Sequence, residues 1–248
     1  VTPDHCAGLL QKADPDRFAS VMAAQPGDRA KLATLYAANL EIAQAALSSK
    51  EPLVSEMRLQ WWADQIDRMQ RSQIPDKHPV ALPLANSWGA DVAPLADLIE
   101  ARRRDALREP FETEAEVLAH IDGCTGTLMR MAAAACGLFD RDELLRDQSR
   151  GAGLAAWLSA YPRLRSLNLG VFGDRSDLLK GLAGQGIAAL DAAKAAEDVP
   201  RRAAPALFAG AGARSKLNAA KAGEAAEVSR FSRNLAYLRL AVLGHWRG

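Results

Sequence analysis

Leu35–Ala46 reads LYAANLEIAQAA, and Ser55–Asp67 reads SEMRLQWWADQID. These two runs decide the fold. In and just before the first, Leu32, Leu35, Tyr36, Leu40 and Ala43 recur at the three- and four-residue spacing of one helix face. Asn39 and Glu41 are polar groups in this otherwise apolar stretch. In the second, Leu53, Met57 and Trp61 make one row, and Glu56, Gln60 and Asp64 make the row beside it. The adjacent Trp61 and Trp62 must point apart, one into the core and the other toward a neighbouring helix or a pocket. The polar residues of this helix have two readings, pairing with other helices or forming a pocket wall. Glu41 and Arg58 are expected as cross-helix partners, a pairing that specifies register more than it adds stability.

Outward from these runs the pattern stays helical. The spacing predicts helices over Ala7–Ala24, from an Asp28 cap to Ser48, and from Pro52 to Met69. Pro75, Pro79 and Pro83 mark a linker and a short helix holding Leu84–Trp88, and a further helix follows over Asp91–Leu107. Thr113 followed by Glu116 is a capping-box pattern opening a long helix to Cys136, in which Gly123 and Gly126 mark close packing. Arg141–Tyr161 reads as a helix ending at Pro162, and Arg165–Arg175 as a loop touching the body through Leu167, Leu169, Val171 and Phe172. Helices are expected again over Ser176–Glu197, briefly between Pro200 and Pro205, and over Gly212–Leu243. With 50 alanines among 248 residues and no alternating segment, the expectation is one all-α domain over residues 1–248.

Composition excludes several classes. The net charge of +1 argues against a nucleic-acid binder. Cys6, Cys124 and Cys136 are too few and too widely spaced for a disulfide framework, which suits a reducing compartment. No run of eighteen uncharged apolar residues exists, and the first residues show neither an apolar signal core nor a clear transit peptide. His5, His78, His120 and His245 lack metal-ligand spacing, with His78 read as a helix-start or surface residue. GxSxG, P-loop and GxGxxG motifs are missing, and no histidine can be placed beside a cysteine nucleophile. Charge is uneven. Asp91–Asp122 holds nine acids against four arginines, and residues 201–248 hold nine basic residues against Glu224 and Glu227, a net +7. In that last segment Phe231, Tyr237, Leu238, Val242 and Trp246 mix with Arg230, Arg233, Arg239 and Arg247. Solvated helix faces, an acidic partner, a diphosphate and an anionic membrane surface all fit such a pattern.

The ordered series LYAANLEI, EMRLQWWADQID, His78-Pro79, LIEARRRDAL at Leu98–Leu107 and FETEAEVLAHIDGCTGTLMRMAA at Phe111–Ala133 resembles the squalene/phytoene synthase family over Asp16–Leu138. GIAALDAAKAAEDVPRRAAPALF at Gly186–Phe208 resembles the family's later helices. The resemblance implies the all-helical isoprenoid synthase fold with a central cavity. Family enzymes condense two prenyl diphosphates head to head, using Mg²⁺ held by two aspartate-rich motifs. Mg²⁺ needs several hard oxygen ligands in near-octahedral array. Here the positions matching the first motif are Ala43, Gln44 and Leu47, and the second falls in GAGLAAWLSAYPRLR at Gly151–Arg165, which has no acid.

The expectation is therefore a non-catalytic protein with no resident cofactor, similar to a mitochondrial branch of the family that supports assembly of respiratory complex I. A bacterial version would be cytoplasmic or peripheral to the inner membrane, a mitochondrial one on the matrix side. Two alternatives stay open, a Mg²⁺-dependent prenyl transferase with relocated carboxylates and a non-catalytic carrier of a lipid or prenyl group. The residues expected to face a cavity or partner are Asn39, Glu41, Glu56, Arg58, Gln60, Trp61, Trp62, Asp64 and Asp105.

Overall fold

The computed structural model describes residues 2–246. Thirteen α-helices occur among them. They are α1 (Pro3–Ala13), α2 (Pro15–Ala23), α3 (Pro26–Ala46), α4 (Pro52–Gln70), α5 (Ala81–Trp88), α6 (Leu95–Leu107) and α7 (Glu114–Ile121), then α8 (Thr127–Ala135), α9 (Asp142–Ser166), α10 (Ser176–Lys194), α11 (Ala204–Leu207), α12 (Ala213–Ala222) and α13 (Arg230–Leu243). Extended pairing among the described residues is limited to an isolated parallel bridge between Phe111 and Val171.

Helix α3 is central. Pro26 sits in its first turn, where a missing N–H costs nothing. Its residues Leu32 through Ala38 are all buried, so the helix is covered on every side. Helix α4 buries the stripe Ser55, Leu59, Trp62, Ile66 and Met69 against it and leaves Leu53 and Met57 exposed. One apolar cluster joins α1 to α6, α8, the start of α9 and Ala203–Leu207. A second joins α7, the middle of α9, α10 and α12. Helix α9 runs through both, with Leu144, Leu145 and Ala152 in the first and Leu154, Trp157 and Leu158 in the second. It meets α10 closely at Gly151, where a Cβ would stand 2.5 Å from the Leu190 side chain.

Several expected boundaries move, each for a local reason. The first helix breaks at Asp14. Pro15 disfavours helical geometry in the residue before it, and Asp14 leaves the helical region (φ −144°), with its carboxylate accepting from Arg17 N–H at 3.1 Å to cap α2. Gly89–Val92 forms a 3₁₀ turn, so α6 starts at Leu95 rather than Asp91. Thr113 caps α7 as expected, accepting from Glu116 N–H at 3.2 Å. The helix it opens widens into a π turn at Asp122–Gly126 before continuing as α8. Helix α9 passes through Pro162 to Ser166. In the loop after it, Leu169 and Val171 are buried, but Phe172 is exposed. Helix α10 stops at Lys194. The expected last helix is two, since Gly223 (φ +78°) ends α12 in a left-handed turn and Ser229 caps α13. Arg247 lies outside the described residues.

Candidate functional site

An open cleft of about 560 Å³ lies between α3, α4 and the proline-rich segment before α5. Helix α3 supplies Glu41, Gln44 and Ala45, and Ser48 follows just beyond its end. Helix α4 supplies Arg58, Trp61 and Trp62. Trp62 is 3% exposed and belongs to the core, while Trp61 is half-buried at the cleft wall. Their rings meet edge to face at 5.2 Å.

His78 completes the wall. Its ring lies 4.9 Å from Trp61 and 5.4 Å from Trp62. Nδ1 accepts from the backbone N–H groups of Val80 (3.2 Å) and Ala81 (3.3 Å), which caps the start of α5. An Nδ1 that accepts twice leaves the hydrogen on Nε2, which stands 3.3 Å from a Glu41 carboxylate oxygen. Burial lowers the His78 pKa, with a contribution from His5, and burial raises that of Glu41. The pair is therefore a neutral imidazole donating to a half-buried carboxylate. The expected Glu41–Arg58 ion pair is not formed. Arg58 is exposed across the cleft and keeps its hydration, while the rigid segment from Pro75 to Pro79 delivers His78 to Glu41.

A second, partly open cavity, of about 140 Å³, lies where α2, α3, α9 and the segment after α11 meet. Its walls come from α2 (Arg17, Ser20), Tyr36 of α3, Thr125 and Met129, Ala152, Gly153 and Ala156 of α9, and Ala206 with Phe208–Gly210. Two carboxylates reach it, and both are engaged. Asp14 pairs with Arg17 at 3.3 Å, and Arg17 lies over the Tyr36 ring at 4.7 Å. Asp16 accepts from the Tyr237 hydroxyl at 2.7 Å and from Ala211 N–H at 3.3 Å.

Residues 10–159 match the family model described as squalene/phytoene synthase. The chain belongs to the squalene/phytoene synthase family. The structure is similar to the crystal structure of a dehydrosqualene synthase in complex with ligand, with a TM-score of 0.71 at 15% identity, over 96% of this chain and 94% of that one. The fold is thus the isoprenoid synthase fold. Among curated proteins, the chain is similar to the Drosophila melanogaster NADH dehydrogenase (ubiquinone) complex I, assembly factor 6 homolog, at 25% identity over 169 residues. That match covers 64% of this chain and 50% of the relative, so the chain spans about half the relative's length.

The Mg²⁺ that the squalene/phytoene synthase fold implies finds no suitable donor set here. On α9 the cavity face is Ala152, Gly153 and Ala156, which offer only carbon. Gln44, at one of the first-motif positions, faces the outer cleft. Among the described residues, no group of three or more His, Cys, Asp or Glu side chains is placed to hold a metal ion.

The remaining expected residues separate from the cleft. Glu56, Gln60 and Asp64 do share a face, but it lies on the seam with α6. Arg103 binds Glu56 at 2.7 Å and Gln60 at 2.9 Å, and Gln60 donates to Asp64 at 2.8 Å. Asn39 is half-buried on α3 and lines neither the cleft nor the second cavity. Asp105 is buried beside Arg102 (2.8 Å) and His120 (3.8 Å). His120 donates from Nδ1 to the Ala101 carbonyl at 3.2 Å and brings Nε2 to 3.9 Å from Cys124 Sγ. Burial opposes both charged forms, yet Cys124 and Asp105 raise the His120 pKa, and Arg102 with His120 lowers that of Cys124. So Cys124 does have a histidine neighbour, and the only signal for it was their spacing of four across the π turn. At 4% exposure this cysteine is buried and does not line the cleft.

Proposed function

We propose that this chain is a non-catalytic member of its family that acts as a binding or assembly factor for respiratory complex I, using the α3/α4 cleft as its partner surface. The observation that carries this reading is the cavity between α2, α3 and α9. The α9 segment that matches the second aspartate-rich motif turns only Ala152, Gly153 and Ala156 to this space of about 140 Å³. Pockets that engulf drug-sized ligands run to about 300–1,000 Å³. A C15 or C20 prenyl chain does not fit that space, which counts against the transferase.

Support for partner binding comes from the other side of α3. The cleft joins an apolar wall to a few polar groups, Glu41, Arg58 and Ser48, and Leu53 and Met57 continue the Trp61 row of α4 as exposed side chains. Exposed apolar rows beside polar rims are the pattern of protein-binding surfaces. The likeness to the assembly factor supplies the identity of the proposed client.

Two measurements test this. In cells lacking the gene, the full chain is expected to restore assembled complex I, and a Met57→Glu/Trp61→Ala variant is expected to fail while keeping its helical circular dichroism. Calorimetric titration with farnesyl diphosphate should show no tightening on adding Mg²⁺, and no pyrophosphate should be released. Mg²⁺-dependent tightening lost in Glu41→Gln or Asp105→Asn would return the protein to the transferases.

A further inference from the structure

Helix α13 presents an apolar stripe to the outside. Phe231 is 77% exposed, Leu238 58% and Val242 55%. At about 100° per residue these three lie within about 20° of one line along the helix. On the same wheel Arg239 stands about 80° to one side and Arg230 about 100° to the other. Both arginines are exposed, and α13 contains no acidic residue. The opposite side is fixed to the body. Leu240 is buried there, the Tyr237 hydroxyl is bound by Asp16, and the Arg201 guanidinium donates to the Val242 carbonyl. The stripe therefore belongs to a helix already packed on its own inner face.

We infer that α13 is an interfacial helix that seats the protein on an anionic lipid bilayer. The apolar row enters the boundary between headgroups and acyl chains, and Arg230 and Arg239 meet lipid phosphates along its two edges. Charge complementarity selects this occupant. A stripe edged by cations on both sides, with no acid in the helix, matches an anionic lipid surface and mismatches a second copy of itself, which would set arginine against arginine. Among the described residues no helix is long and apolar enough to cross a membrane, so the attachment is a surface one. This inference is independent of the client proposed for the cleft.

Vesicle sedimentation of the full chain tests it, with phosphatidylcholine alone and with phosphatidylcholine containing phosphatidylglycerol. Binding is expected to the anionic vesicles and to weaken as salt rises from 0.1 M to 1 M. Arg230→Gln/Arg239→Gln should lower the partition coefficient about 25-fold, at roughly fivefold per arginine. Leu238→Asp should abolish binding, and both variants lie on exposed positions that leave the fold intact by circular dichroism. Indifference to anionic lipid, or an unchanged partition of the double arginine variant, would overturn the inference. So would self-association by light scattering that Leu238→Asp removes, since the stripe would then be an interface between copies.

Discussion

His78 holds its Nε2 3.3 Å from the Glu41 carboxylate while its Nδ1 accepts two backbone N–H groups from the start of α5. Both ring nitrogens are thus committed to the neutral form. Protonating Nδ1 would turn an acceptor into a donor facing two donors.

That commitment has a sign. Because burial lowers the folded-state pKa of His78 below its ordinary 6.5, its contribution to stability is present above pH 6.5 and is lost as the pH falls through the folded value. His120, with a raised pKa, contributes in the opposite direction, so the wild type alone mixes the two. The difference between wild type and His78→Asn isolates the first. The fall in melting temperature between pH 7.5 and pH 5.5 should be smaller in His78→Asn, measured by circular dichroism at 222 nm. An equal fall in both proteins would show that His78 does not titrate in this way.

The two tryptophans should separate stability from binding. Trp62→Ala empties a core site and should cost about 3–5 kcal/mol in urea unfolding. Trp61→Ala, at the half-buried cleft wall, should cost less than half as much yet weaken client binding more than any surface substitution outside the cleft. A Trp61 cost equal to that of Trp62 would place both rings in the core.

Arg103 of α6 ties that helix to α4 through Glu56 and Gln60, and Glu100 on its own helix holds the guanidinium in place. Arg103→Met should destabilise by about 1–2 kcal/mol, because Glu56, one of whose carboxylate oxygens is already buried without a hydrogen bond, loses its charged partner. Combining it with Glu56→Leu should recover part of the loss. Additive losses in the double variant would mean that the two residues act independently.

The glycines of the long α7–α8 run are not equivalent. A Cβ at Gly123 would stand 2.8 Å from the Ala101 Cβ on α6, whereas at Gly126 it would first meet the movable Arg130 guanidinium at 3.3 Å. Gly123→Ala should cost about 1–3 kcal/mol from overpacking. Gly126→Ala should be near neutral, since a helix-propensity gain of about 1 kcal/mol offsets a small adjustment. Ala101→Gly should relieve the first variant, and no relief would remove the close-approach explanation.

What could be seen in the sequence was what repeats along one helix. Glu41, Arg58, Trp61 and Trp62 stand out in the sequence because α3 and α4 are long, Glu41 interrupts an apolar run, and two adjacent tryptophans cannot both enter the core. The spacing of Glu56, Gln60 and Asp64 puts them on one face, but only the packing of α6 shows that Arg103 claims that face. His78 arrives on an irregular proline segment, and periodicity says nothing about where such a segment lands. The Asp14–Pro15 break carried a readable cap and proline, but continuous apolar spacing masked it. The π turn left no trace beyond two glycines, since a helix pattern absorbs one widened turn without losing its apolar face.

The hydrogen bond from Tyr237 to Asp16 joins positions 221 residues apart. Closing so long a loop costs more chain entropy than any helix–helix contact between neighbours in sequence. The wall of the cavity at Asp16 thus rests on a contact between α2 and α13, and undocking α13 would hand the Asp16 carboxylate back to water.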